Sequence, residues 1–254
     1  MKLDIIVVCI DREKDREYWL SQQAIFCALP FLNSIIVVEA TKTHLITRRG
    51  KQSHPVSSHA IGDSHLRITR EAFNKSFFMQ IGAQLVSSDA IMFLDCDIRM
   101  SMSQLNSFFW YFAGIKGLAV VYLRSVLESD PRLSKSVNMG YMPVSVQDSN
   151  NSRRLKLVQW QGTGSRPGFG NIILTHQLYR DVGMHDLSYT QYGWEDLDLI
   201  ARLILFGAKI YSAGEALHLS HPDSMRFLNH DSRQQSVANM REVFMHKFSC
   251  QLDL

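Results

Sequence analysis

The sequence has no two cysteines close together. Its four, Cys9, Cys27, Cys96 and Cys250, lack the short spacing of a zinc knuckle or a dithiol redox motif, so neither class is a first reading. Cys9 and Cys96 fall in apolar, strand-like runs and are expected as buried free thiols, which suits a reducing compartment. There is no apolar stretch of the length a membrane-crossing helix needs. The run Ile5 to Ile10, behind Asp4, is too short for a secretion signal. The expected location is the cytoplasm, with peripheral contact at the inner face of the membrane left open. Net charge is small, +3 over 254 residues, and no basic stripe is interleaved with aromatics, so nucleic acid is not an expected partner. A pI of 8.7 allows weak attraction to an anionic ligand and no more. Internal repeats and low-complexity segments are absent. No histidine pair has the i, i+4 spacing of a zinc-protease helix.

What is present is a globular composition, 46% apolar, and a regular alternation of strand and helix signals. Ile5–Ile10, Ile35–Glu39, Ala90–Leu94 and Leu118–Leu123 are short, continuous and rich in β-branched residues, the pattern of strands buried on both faces. Between them, helices are predicted over 19–29 (closed by Pro30), 65–86 and 104–112, and a long polar loop over 41–63. This rhythm predicts an α/β fold with a mostly parallel central sheet flanked by helices. The polar stretch 128–154 has no assignable element. Further on, an edge strand is predicted over 155–161 and a tight turn over 167–171. A short helix capped by Thr175 should follow. A strong amphipathic helix is predicted over 195–206, stopped by Gly207. Short strands over 208–211 and 216–219 and a last helix over 232–248, capped by Asp231, complete the reading.

Two acidic signatures carry the chemistry. Asp95 and Asp97 flank Cys96 at the end of a buried strand. Alternation sends the two carboxylates to one side and Cys96 to the core. Such a pair can hold a hard divalent cation, and the carboxyl end of a parallel strand is where ligands bind in α/β sheets. The plain alternative is an acidic strand-end turn. Glu195 and Asp196 open the strong helix, where the helix dipole favours acids whatever their role. Gly193 and Trp194 precede them, and Gly168 and Gly170 lie upstream. Glycines let a ligand approach the backbone, and an aromatic offers a flat face to a sugar ring. A carboxylate placed here can take a proton from a hydroxyl. His218 and His221 would point oppositely on an alternating strand, so only one is expected to join Asp97. Arg67, Arg70, Asn74 and Lys75 lie before the acidic strand, where Lys75 or Arg70 could reach a phosphate or uracil.

In this order these residues resemble GT-A glycosyltransferases, in particular family 2 and the related galactosyltransferase catalytic segment. Four stretches carry the resemblance. They are Ile5 to Arg12; Asn74-Lys75 through Asp95-Cys96-Asp97; Gly168-Phe169-Gly170-Asn171 through Glu195-Asp196-Leu197-Asp198 to Leu203; and His218 with His221-Pro222. The usual Gly-Gly before the acidic pair is Gly193-Trp194 here, and Phe169 splits the glycine pair before Asn171. The resemblance implies one GT-A unit over 1–254, with a nucleotide-sugar half (1–100), an acceptor half (101–222) and a C-terminal helical extension (223–254). It implies transfer of a sugar from a nucleotide-diphosphate donor, UDP by family habit, to a glycan or glycolipid hydroxyl. Asp196 would be the general base of an inverting reaction, with Glu195 orienting the acceptor. Asp11, Arg70, Asn74, Lys75, Asp95 and Asp97 would face the donor. Gly168, Gly170, Asn171 and Trp194 would face the acceptor. Asp97 and His218 would hold Mn²⁺ or Mg²⁺, with His221 as the alternative ligand. The rival readings are a catalytically degenerate nucleotide-sugar-binding module and a sugar-1-phosphate nucleotidyltransferase, although Cys9-Ile10-Asp11-Arg12 has no glycine for the latter's loop. A haloacid-dehalogenase-type phosphatase fits less well, because its Asp-x-Asp stands near the N-terminus.

Overall fold

The computed structural model describes residues 1–10, 12–41, 64–69, 74–130, 132, 137–147, 152–221 and 233–252. Elements are numbered in chain order. β1 (Leu3–Ile10) is the hub of the main sheet, pairing in parallel with β2 (Leu32–Thr41) on one side and β4 (Ala90–Asp95) on the other. Its unbroken apolar run has a simple cause, since both faces of the strand are covered. Leu3, Ile5, Val7 and Cys9 pack in one core with Trp19 and Phe26 of α1 (Glu13–Phe26) and Phe108 and Phe109 of α3 (Met102–Ala113). Ile6 and Val8 pack in a second with Phe78 and Met79 of α2 (Lys75–Gln84).

The remaining strands are β3 (Ser64–Thr69), β5 (Ile98–Arg99), β6 (Ala119–Glu128), β9 (Ser165–Thr175) and β10 (Lys209–His218), and the sheet order is β3-β2-β1-β4-β9-β6-β10-β5. β9 runs antiparallel between β4 and β6, and β5 antiparallel to β10, while the other pairings are parallel. The fold is therefore α/β with a mostly parallel sheet flanked by helices. A separate antiparallel ribbon joins β7 (Val137–Gln147) to β8 (Arg153–Thr163). A third core seals it to the body: Leu155 of β8, Ile200 and Ile204 of α5 (Glu195–Phe206), and Met240 and Phe244 of α6 (Arg233–Lys247). The short α4 (His176–Asp181) is capped by the Thr175 hydroxyl, which accepts from Leu178 N at 3.2 Å. Among the described residues no helix is long and apolar enough to cross a membrane.

Several sequence expectations are corrected. The helix expected over 65–86 is strand β3 followed by α2. Residues 64–69 find partners along the edge of β2, and the helix starts only after Asn74, whose side chain accepts from Phe77 N. α1 begins at Glu13 rather than Trp19 and ends at Phe26. One of its three buried residues is the polar Gln23, so its apolar stripe is faint. The segment 167–171 is not a turn. It lies in β9, whose pairing with β6 slips twice: Gly168 still faces Leu123, while Gly170 falls in the slip between Gly168 and Ile172. The two short strands expected over 208–219 are the single β10. The unassigned stretch 128–154 contributes the end of β6, β7 and the start of β8. The loop 42–63 and the Asp231 cap lie outside the described residues.

Candidate active site

At the end of β4 the chain turns through Cys96 and Asp97 and re-enters the sheet as β5, against the end of β10. That reversal brings Asp97 to His218, because Ile98 is the register partner of His218. The turn is held by backbone and side chain: Leu219 N donates to Asp97 O (2.8 Å) and the Trp19 indole N–H donates to Cys96 O (3.0 Å). β10 ends at His218, so alternation does not continue to His221. Both rings meet Asp97, and this corrects the expectation that they point apart. Oδ2 of Asp97 lies 3.3 Å from His218 Nε2, 3.0 Å from His221 Nε2 and 2.9 Å from Arg12 Nη1. Its other oxygen, Oδ1, is buried with no hydrogen-bond partner among the described residues. Burial works against the charge on Asp97. The hydrogen bonds of both histidines, then the charges of His218 and Arg12, outweigh it and hold the carboxyl well below the ordinary range.

One ligand atom each from Asp97, His218 and His221 falls within 4.8 Å of the others. A carboxylate and two imidazoles are a donor set for a divalent cation, and a buried oxygen without a partner is what such an ion would satisfy. The set therefore fits the cation that the resemblance implies. Behind it, Glu128 at the end of β6 accepts from His218 Nδ1 at 2.7 Å, which turns Nε2 toward Asp97.

A second cluster lies on the same cleft. Lys75, the first residue of α2, places Nζ 3.0 Å from Asp95 Oδ1, 3.4 Å from Glu195 Oε1 and 3.2 Å from Asp196 Oδ2. Burial disfavours its charge, but Asp196, Asp95 and Glu195 together hold it protonated far above the ordinary range. Asp196 goes the other way. Burial pushes its carboxyl up to about 7, Lys75 pulls against this, and Glu195 and Asp95 add to it. Glu195 Oε2 is buried without a hydrogen bond among the described residues. The backbone that delivers this pair is strained: Gly193 has φ 105° and Trp194 has φ 71°, a conformation costing a non-glycine residue roughly 1 kcal/mol or more.

Both clusters line one cavity of about 270 Å³, together with Arg12, Trp160, Arg166, Phe169, Gly170, Tyr192 and Trp194. Gly170 lets β9 approach the acidic pair closely: a Cβ would stand 2.5 Å from Asp196 Oδ2, and that side chain would have to shift. Trp194 touches the cavity but is only 8% exposed, stacked near Tyr141 and tilted against Phe244. Tyr192, 37% exposed, also lines the cavity, with the Arg233 guanidinium 6.0 Å from its ring centroid. Three residues expected at the site lie off its wall. Asn74 caps α2 and donates to Leu187 O (3.0 Å). Gly168 packs against Val126 and Leu123. Asn171 is fully buried and holds Asp95, accepting from its N–H at 2.9 Å. Asp11 and Arg70 lie outside the described residues. Glu128 and Arg166 did not emerge from the sequence, since each is a lone charge in a stretch without a motif. Arg12 stood only in the first resembling stretch, with no role of its own.

The sheet order and the helices on both faces define a GT-A-type fold. The chain is similar in structure to S. aureus TarS, residues 1–349. The TM-score is 0.52 at 12% identity, over 86% of this chain and 60% of that one. This chain thus spans less than two thirds of the TarS structure. No protein-family model and no curated protein matches the sequence.

Proposed function

We propose that the chain is a metal-dependent, inverting glycosyltransferase. It would move a sugar from a nucleoside-diphosphate donor, UDP being the first candidate, to a hydroxyl of a glycan or glycolipid. One observation carries the reading. A single cleft holds both the Asp97–His218–His221 cluster and a partly buried carboxylate, Asp196, poised at about 7. A base acts best when its pKa lies near the working pH, and a GT-A-type sheet presents this cleft at the carboxyl ends of its strands.

In this reading Asp196 accepts the proton of the attacking hydroxyl as its oxygen bonds to the anomeric carbon. The bond from that carbon to the diphosphate oxygen breaks on the opposite side, so configuration inverts. Lys75 holds Asp196 and Asp95 at fixed separation, and Glu195 Oε2 is free to orient the acceptor. A divalent cation on Asp97, His218 and His221 would neutralise charge on the departing diphosphate. Two imidazole ligands favour Mn²⁺ over Mg²⁺, which prefers oxygen.

The test is the melting temperature with UDP, GDP, CMP or dTDP, each with Mn²⁺ or with EDTA. A ligand at 100 times its dissociation constant stabilises the fold by about 2.7 kcal/mol. A metal-dependent rise with one nucleotide, lost in Asp97→Ala, is expected. No rise with any of them, in folded protein, overturns the reading. A rise without donor turnover over a broad acceptor panel leaves a binding module instead.

A further inference from the structure

Among the described residues, those of α6 line no part of the cleft, and packing alone does not explain where the helix sits. Only Ser236, Met240 and Phe244 of it are buried. Yet α6 follows the segment that leads into the acidic pair. The Arg233 guanidinium lies 6.0 Å from the Tyr192 ring centroid, and a Cβ on Gly193 would stand 3.3 Å from Val237 Cγ2. Asn239 Nδ2 donates to Gln191 Oε1 at 3.1 Å, and the Phe244 ring packs on Trp194 with centroids 5.1 Å apart. At the end of the helix, Lys247 Nζ donates to Asp198 Oδ1 and to Asp186 Oδ2, both at 2.5 Å. Asp198 is wholly buried and also accepts from the Tyr189 hydroxyl (3.2 Å) and from Arg202 Nε (2.7 Å).

Asp198 follows Asp196 by two residues, about 200° round a helix of 3.6 residues per turn. Lys247 therefore holds the first turn of α5 from the face opposite Asp196. That turn needs holding. Trp194, just before it, has φ 71°, where a non-glycine residue stays only if its surroundings force it. Relaxation of this backbone would rotate Glu195 and Asp196 away from Lys75. We infer that α6 braces the acidic pair, and that Lys247 is a positioning residue for Asp196, acting through Asp198 from outside the cleft. The inference deepens the glycosyltransferase reading by naming what aims its base, and its test needs no substrate.

The experiment is a set of melting curves between about pH 4 and 8. Asp196→Asn is compared with its parent in two backgrounds, wild type and Lys247→Met. In the wild-type background the variant's advantage is expected to grow from pH 4 to about 7, because burial disfavours the Asp196 charge. The groups facing Asp196 are Lys75 of α2, Asp95 of β4 and its neighbour Glu195, and Arg166 of β9 and Tyr192 line the same cavity. All of them are present in both backgrounds. In the Lys247→Met background the growth with pH is expected to be largely lost, because the released Asp196 turns to water. Loss of a positive charge alone would do the reverse and increase it. General destabilisation would lower both curves together and leave it unchanged. Either of these outcomes overturns the inference. So does a wild-type background without pH dependence, since α6 would then have no desolvated carboxylate to hold. UDP affinity at fixed Mn²⁺, measured in parallel, is expected to be the same in Lys247→Met and wild type. A fall overturns the inference, because α6 would then support the whole cleft. Failure of wild type to bind UDP counts against the glycosyltransferase reading alone, and the melting curves still decide the inference. Lys247→Arg, which keeps the charged tie, should restore most of the pH dependence. Should Lys247→Met not fold, Lys247→Gln carries the same comparison.

Discussion

Glu128 Oε2 accepts the Nδ1 proton of His218 at 2.7 Å, tying the end of β6 to the end of β10 behind the candidate metal cluster. Burial would raise the Glu128 carboxyl. The His218 hydrogen bond, with Ser220 and Arg166, holds it down to about 2, so it is an acceptor at any working pH. With Nδ1 committed, Nε2 is the nitrogen offered to a cation.

Glu128→Gln removes that acceptor charge without changing shape. Second-layer partners of metal-binding histidines typically contribute 10–100-fold in affinity. Mn²⁺ affinity, followed by calorimetry in the absence of nucleotide, is expected to fall by about that factor. An unchanged affinity would show that His218 does not depend on Glu128.

The raised Asp196 carboxyl sets a pH dependence with a definite sign. Its ordinary value is 3.8 and its value in the fold about 7. The fold favours the neutral form, so the stability this group contributes is complete below 3.8 and is lost as pH rises through about 7. Asp196→Asn is neutral throughout. Its melting temperature relative to wild type is therefore expected to climb between pH 4 and 7 and to stay higher above. Turnover should fall by about 10²–10⁴, while wild-type turnover rises with pH through about 7. A melting difference that is flat with pH would show that Asp196 is not buried against its charge.

Gly170→Ala tests the close approach of β9 to the acidic pair. A methyl group would stand 2.5 Å from Asp196 Oδ2 and 3.1 Å from Lys75 Nζ, so both must move. Overpacking of this kind costs about 1–3 kcal/mol, and displacement of the base should lower turnover more than it raises the substrate KM. Gly114→Ala is the control, because its nearest contact would be 3.4 Å and it should melt as wild type does. Equal turnover in Gly170→Ala and wild type would remove Asp196 from the reacting geometry.

Much of the frame was legible because its signals are local. The buried strands β1, β2, β4 and β6 announced themselves by short β-branched runs. α5 did so by its apolar stripe and the glycine stop at Gly207, where φ is 104°. Of the ribbon, β8 was read as the edge strand over 155–161, but β7 was not legible, since a strand exposed along much of its length has no continuous apolar run. β3 was misread because Ile68 falls by chance at helical spacing from Ala72 and Phe73.

By itself the sequence determined which residues could do chemistry: the two acidic pairs, the histidines and the aromatic neighbours, each a matter of residue type and nearest neighbours along the chain. Only the tertiary structure decided their relations. The reversal through β5 brings both His218 and His221 to Asp97, although strand alternation predicts divergence. Lys75 meets Asp196 across 121 residues of sequence, a pairing no local pattern encodes. Asn171, with the chemistry of a ligand contact, is instead buried holding Asp95. Such outcomes follow from register, close approach and desolvation, which exist only once the chain has closed on itself.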